Sequence, residues 1–205
     1  MTNDELKQHI SAFLRDYSIE ITPHDTGKLD AIRAELAAGT CVYVAHPPGV
    51  PIDDIVTLAG QVQKLGLTAT PHVIARKLES RGQLDQALAR CHELGIKNAL
   101  CVAGDITAEK PAYDSSLEVL QTGLFKKYGF REVGIAGHPE GSKAIGEERV
   151  EQALRGKAEF EKTAGFNMYF ATQFGFDPHP SIDWEAETAA KGIHLPIHVG
   201  MPGPA

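Results

Sequence analysis

Residues 95–105 read GIKNALCVAGD, and this stretch decides the fold. A glycine closes a helical segment, a short apolar run begins at once, and the run ends on glycine and a carboxylate. Glycine suits such a join because helices commonly stop on a residue in the left-handed conformation, where other side chains are strained. The run does not alternate polar with apolar residues, the pattern of a parallel strand covered on both faces. The same join recurs at Gly66 (GLTATPHV), Gly129 (GFREVGIAGHPEG), Gly165 (GFNMYFATQFGFD) and Gly192 (GIHLPIHVGMPG). From Gly66 through Gly95, Gly129 and Gly165 to Gly192 the steps are 29, 34, 36 and 27 residues, each the size of one strand–helix unit.

Two earlier apolar runs, SIEIT at 18–22 and CVYVA at 41–45, bring the expected strands to seven. Helices are expected over 26–38, 52–65, 83–94, 115–128, 147–164 and 182–191, after an amphipathic acidic helix at the N-terminus. Seven parallel units fit a β/α barrel or an open doubly wound sheet. Ionisable residues follow nearly every strand, on the face where barrel active sites form. No GxGxxG follows the first strand, as a dinucleotide-binding open sheet would show. The expected architecture is therefore an α/β fold, a TIM-type barrel lacking its eighth βα unit. Residues 1–205 form a single domain expected to be truncated at its C-terminal end, MPGPA.

A formal charge of −7 argues against a broad attraction to nucleic acid. No apolar run approaches a membrane span, and the acidic N-terminal helix is unlike a signal peptide. Three widely spaced cysteines without a CxxC pair argue against a disulfide framework and for a reducing compartment. A cytoplasmic protein is expected, with homo-oligomerisation left open.

The strand ends supply Glu20, His46, His72, Asp105, His138 with Glu140, and Gln173 with Asp177. A barrel would gather these around one mouth, offering an acid, imidazoles titrating near neutrality and hydrogen-bonding groups for a planar heterocycle. Glu20 between Ile19 and Ile21 stands out, since a carboxylate inside a central strand is costly unless paired or functional. Gln173 in ATQFGFD is an amide in an apolar strand and needs partners. Asp105 also reads as a helix cap, His46 as a loop histidine before Pro47-Pro48-Gly49, and His72 as a satisfied core histidine. Gly137 and Gly141 in GHPEGS mark either close backbone approach to a ligand or a plain turn.

Together SIEITPHD, TPHVIAR, VAGD, GIAGHPEGS and ATQFGFD resemble, in order and approximate spacing, the successive strands of methylenetetrahydrofolate reductase. The resemblance implies a barrel that passes a hydride from NADH or NADPH, through FAD, to 5,10-methylenetetrahydrofolate. It implies that Glu20 is the catalytic acid, that Asp105 lies between flavin and folate with a catalytic and substrate-binding role, and that Gln173 binds the pterin. It further implies cofactor contacts from His46, His72, Asp105, Ala136, Gly137, His138 and Glu140.

Departures from the family pattern fall in the flavin shell. Ala45 replaces a threonine, Ala103 an arginine and His138 a tyrosine, while Lys157 and Lys162 stand out of register with the usual helix contacts. Two alternatives follow: a flavin-independent reductase with direct hydride transfer, or a non-catalytic folate-binding barrel remnant. A metal-dependent hydrolase using His46, His72, His138 and Asp105 is a further alternative, although no HxH or HExxH pair is present; no metal is expected.

Overall fold

The computed structural model describes residues 2–105, 111–141 and 146–203, so Ser142 of the GHPEGS stretch lies outside the described residues. Seven strands form one sheet in chain order, every neighbouring pair parallel. They are β1 (Ser18–Ile21), β2 (Cys41–Val44), β3 (Thr68–Ile74), β4 (Asn98–Val102), β5 (Glu132–Gly137), β6 (Asn167–Phe174) and β7 (Ile197–Gly200). The described helices are α1 (Asn3–Phe13), α2 (Leu29–Glu35), α3 (Ile52–Lys64), α4 (Arg81–Glu93), α5 (Ser116–Gln121), α6 (Leu124–Lys127), α7 (Glu147–Ala164) and α8 (His179–Ala190). Among the described residues β1 and β7 are sheet edges and do not pair with each other.

The sheet is curled. Tyr43 on β2 and Tyr169 on β6 bring their hydroxyls to 2.8 Å. In a flat sheet strands four apart lie about 19 Å from one another. The Tyr43 hydroxyl also lies 3.4 Å from His198 Nδ1 on β7, and the His198 ring stacks on Tyr169 with centroids 4.1 Å apart. The architecture is a β/α barrel open between its first and seventh strands.

Strand pleating sends alternate residues to opposite faces, and the two faces carry different chemistry. Outward residues such as Val42, Val44, Val73, Cys101, Val133, Ile135 and Phe170 are buried with the helices in the main core. The inward set is smaller and more polar, with Tyr43, Leu100 and Tyr169 buried together and Cys41, Val102 and Ala171 packed on them. Gly134 on β5 makes room for this inner layer: a Cβ there would lie 2.7 Å from Tyr169 Cζ. Gly134→Ala is therefore expected to lose about 1–3 kcal/mol from overpacking. Urea unfolding checks this, and an unchanged midpoint would show that the Tyr169 ring moves aside freely.

Local signals explain the helices. Ser80 caps α4 by accepting from the Gln83 amide at 3.1 Å. Asp53 and Asp54 lie in the first turn of α3, and Lys64 in its last, matching the helix dipole. Two helices depart from the sequence expectation. The stretch 115–128 is not one helix, because Gly123 adopts φ +74° and divides it into α5 and α6. The stretch 26–38 begins as a 3-10 turn at Pro23–Lys28, and α2 already ends at Glu35.

Candidate functional site

The carboxyl ends of β1 to β5 bring together most of the expected residues. Glu20 on β1 and His72 on β3 face each other, with Oε2 3.5 Å from Nε2. The expectation of a central-strand carboxylate is corrected, because β1 is an edge and the Glu20 side chain remains 58% exposed. Desolvation by the surrounding protein nevertheless raises its pKa above that of an ordinary glutamate.

His72 is the opposite case, with only 13% of its side chain exposed and Nε2 without a hydrogen-bond partner. Burial, with help from neighbouring His46 and Lys77, pushes its pKa down to about 4. The imidazole is neutral at physiological pH, and the Glu20 contact is not an ion pair. Because the folded pKa lies below the unfolded value, this group leaves stability intact above about pH 6.5 and erodes it as pH falls towards 4. The loss attributable to it is about 3 kcal/mol. His72→Gln is expected to flatten that part of the profile, as read by urea denaturation across the window. A wild-type profile in the variant would assign the acid sensitivity to other groups.

His46 is buried, its Nε2 2.8 Å from the Val50 carbonyl and its Nδ1 without a partner. Lys77, which the sequence reading did not single out, holds this rim together. Its ammonium donates to the carbonyls of His46 and Pro47, the latter at 2.7 Å, and it interacts electrostatically with Asp105. The only sequence signal for it was its position in ARK at the end of β3. Arg76 beside it donates to the Gly104 carbonyl, tying the ends of β3 and β4. Gly104 adopts φ +81°, and a Cβ there would overlap Ile74, so the AGD turn needs glycine.

Beyond this rim a cavity of about 910 Å³ opens between the ends of β4 and β5 and helices α5 and α7. Asp105, Ala136 and His138 line it. Burial and the nearby Lys157 lower the His138 pKa, favouring a neutral ring. A second cavity, about 710 Å³, touches Glu132, Asn167 and Pro196 at the opposite ends of the strands, away from the face where barrels place their chemistry.

Four expected residues sit otherwise than anticipated. Gly137 points outward, where a Cβ would meet the Trp184 ring at 3.0 Å, so its smallness serves packing against α8. Glu140 is exposed near Gly175, and neither residue lines the cavity. Gln173 is exposed, not enclosed in an apolar strand, and its Oε1 accepts from the Phe174 amide at 3.2 Å. Asp177 is also exposed and bonds His179 at 2.6 Å. Among the described residues no three His, Cys, Asp or Glu side chains gather as a metal-binding group. No described helix is long and apolar enough to cross a membrane.

Comparison with known proteins identifies a fold relative and one sequence family. A solved structure from Burkholderia cenocepacia J2315, described as a phosphonomutase candidate, superposes with a TM-score of 0.60. It covers 88% of this chain and 76% of that one at 12% identity, a likeness of fold alone. Methylenetetrahydrofolate reductase 1 of Schizosaccharomyces pombe is 26% identical over 134 residues, 60% of this chain. The match spans only 21% of that protein's length. The family model for methylenetetrahydrofolate reductase matches residues 52–202, which takes in β3 to β7 and the whole cavity. The chain belongs to the methylenetetrahydrofolate reductase family.

Proposed function

We propose that the chain reduces 5,10-methylenetetrahydrofolate to 5-methyltetrahydrofolate with NADH or NADPH, through FAD. The observation that carries this reading is the family match over residues 52–202, which takes in the cavity, and the pairing of Glu20 with a neutral His72 at the strand ends supports it. The residues fit a flavin. The cavity has the volume of a cofactor site. Asp105, Ala136 and His138 line it, and the unpartnered ring nitrogens of His46 and His72 lie on the adjoining rim.

Bound FAD and nicotinamide would supply the hydride chemistry. The chain supplies the acid and the positioning. Glu20, its pKa raised, holds a proton more readily than a free glutamate and delivers it to the nitrogen of the methylene bridge as that ring opens. His72 stays neutral and so does not drive Glu20 to give up its proton through an ion pair. Asp105 offers a carboxylate at the cavity edge to balance positive charge on the opened folate. Gln173, exposed at the end of β6, is free to exchange its contact with the Phe174 amide for the pterin edge.

The visible spectrum of the purified protein tests the flavin part, and assays with each nicotinamide test the reaction. Near-stoichiometric flavin bands and nicotinamide-dependent reduction are expected. Reduction by a colourless protein that ignores added FAD would replace this mechanism with direct transfer. Folate binding without reduction under any condition would sink the enzyme reading.

A further inference from the structure

The short turn Ala75–Lys77 at the end of β3 brackets its two neighbouring strand ends. Forward, Arg76 is tied to the β4 end that leads to Asp105. Its amide donates to the Ala103 carbonyl at 3.0 Å, and its guanidinium donates to the Gly104 carbonyl. Backward, the Lys77 ammonium donates to the carbonyls of His46 and Pro47 in the loop after β2. That loop, residues 46–50, needs a donor from outside. Pro47 and Pro48 have no N–H to give. Its internal ties among the described residues are the contact of His46 Nε2 with the Val50 carbonyl at 2.8 Å and a long bond from the Val50 amide to the Pro47 carbonyl at 3.5 Å. An ammonium carries three donors and a compact charge, so one side chain serves both carbonyls and still attracts an anion. Asp105 is that anion, its carboxylate favouring the charged form of Lys77 against the burial that opposes it.

We propose that Lys77 is a positioning residue, holding the His46–Val50 loop and the Asp105 carboxylate in one fixed arrangement across the ends of β2, β3 and β4. Lys77 does not itself line the cavity of about 910 Å³, whereas Asp105 does. It therefore acts through its neighbours. The ring nitrogens His46 Nδ1 and His72 Nε2 have no hydrogen-bond partner, so they contribute no tie of their own to this rim. The Lys77 bonds to neutral carbonyls are charge-assisted, about twice the strength of ordinary ones. Losing them frees the β2 loop and leaves the Asp105 carboxylate without this counter-charge. A displacement of about 1 Å at reacting groups costs about a hundredfold in rate, so a partial loosening is felt first in turnover. The effect on catalysis rests on the reductase reading above, and the bracket itself does not.

Steady-state reduction of methylenetetrahydrofolate by the full chain, with FAD and nicotinamide supplied, tests the catalytic part. Lys77→Met keeps much of the apolar stem and removes both donor and charge. It should lose about tenfold or more in kcat, with KM within about threefold of wild type. Lys77→Arg keeps donors and charge and should stay within about threefold of wild type in both constants. Amide hydrogen exchange follows the loop independently of activity. Gly49 and Val50 supply its amides after the two prolines, and their exchange should quicken about tenfold in Lys77→Met but not in Lys77→Arg. Wild-type kcat in Lys77→Met, a loss confined to KM, or Lys77→Arg as impaired as Lys77→Met would each overturn the proposal. So would unchanged exchange at Gly49 and Val50, or a kcat loss that vanishes once corrected for the folded fraction. If wild type reduces no folate, the reductase reading falls and exchange alone decides the bracket: faster exchange in Lys77→Met supports it, and an unchanged rate overturns it.

Discussion

Glu20→Gln is expected to lower turnover of methylenetetrahydrofolate by about a hundredfold or more, with little change in fold stability or folate affinity. Glutamine preserves the shape of the side chain but carries no transferable proton. Glu20 is 58% exposed and makes no bond that the core depends on, so the substitution removes chemistry without opening a cavity. The raised pKa adds a second signature. A group acting as an acid is active while protonated, so its contribution declines as pH rises through that pKa, and the raised value moves the decline upwards. Steady-state kcat and KM across pH check both points. A variant with wild-type kcat, or one whose loss lies wholly in KM, would remove Glu20 from the acid role.

Phe125→Ala should have the largest effect on stability, a loss of about 3–5 kcal/mol. Phe125 on α6 is fully buried. Its ring meets Phe130 edge-on, with centroids 5.0 Å apart at 86°, and Phe166 at 6.1 Å. Those two residues lie within two positions of the starts of β5 and β6, so the ring joins a helix to the approaches of two strands. Truncation forfeits its buried area and leaves a void that these partners close only in part. Urea denaturation measures the loss, and one below about 1 kcal/mol would mean that the aromatic cluster repacks.

The sequence revealed the strands and their order because each βα join carries a local marker. Gly66, Gly95, Gly129, Gly165 and Gly192 all have φ between +66° and +78°, the conformation that had made them informative. Gly123 has the same geometry at +74°, yet no apolar run follows it directly, and the helix break there went unread. Strand ends were legible for the same local reason, which is why Glu20, His72, Asp105 and His138 were correctly placed at or beside the ends of their strands. What depended on curl and edge position was not. Glu20 lies on an edge strand, Gln173 faces solvent, and Gly137 packs outward on Trp184. Lys77 acts by reaching across to the His46 and Pro47 carbonyls, and neither short-range spacing nor strand position announces such a reach.

Strand order that repeats chain order also bears on how the protein is made. Each unit finds its docking surface in the unit synthesised just before it, so structure can accumulate from the ribosome outwards with short loops to close at every step. The Tyr43–Tyr169 bond breaks that rule, since it joins residues 126 positions apart. It can form only after β6 has emerged, which makes the inner tyrosine pair a marker for a late stage of assembly.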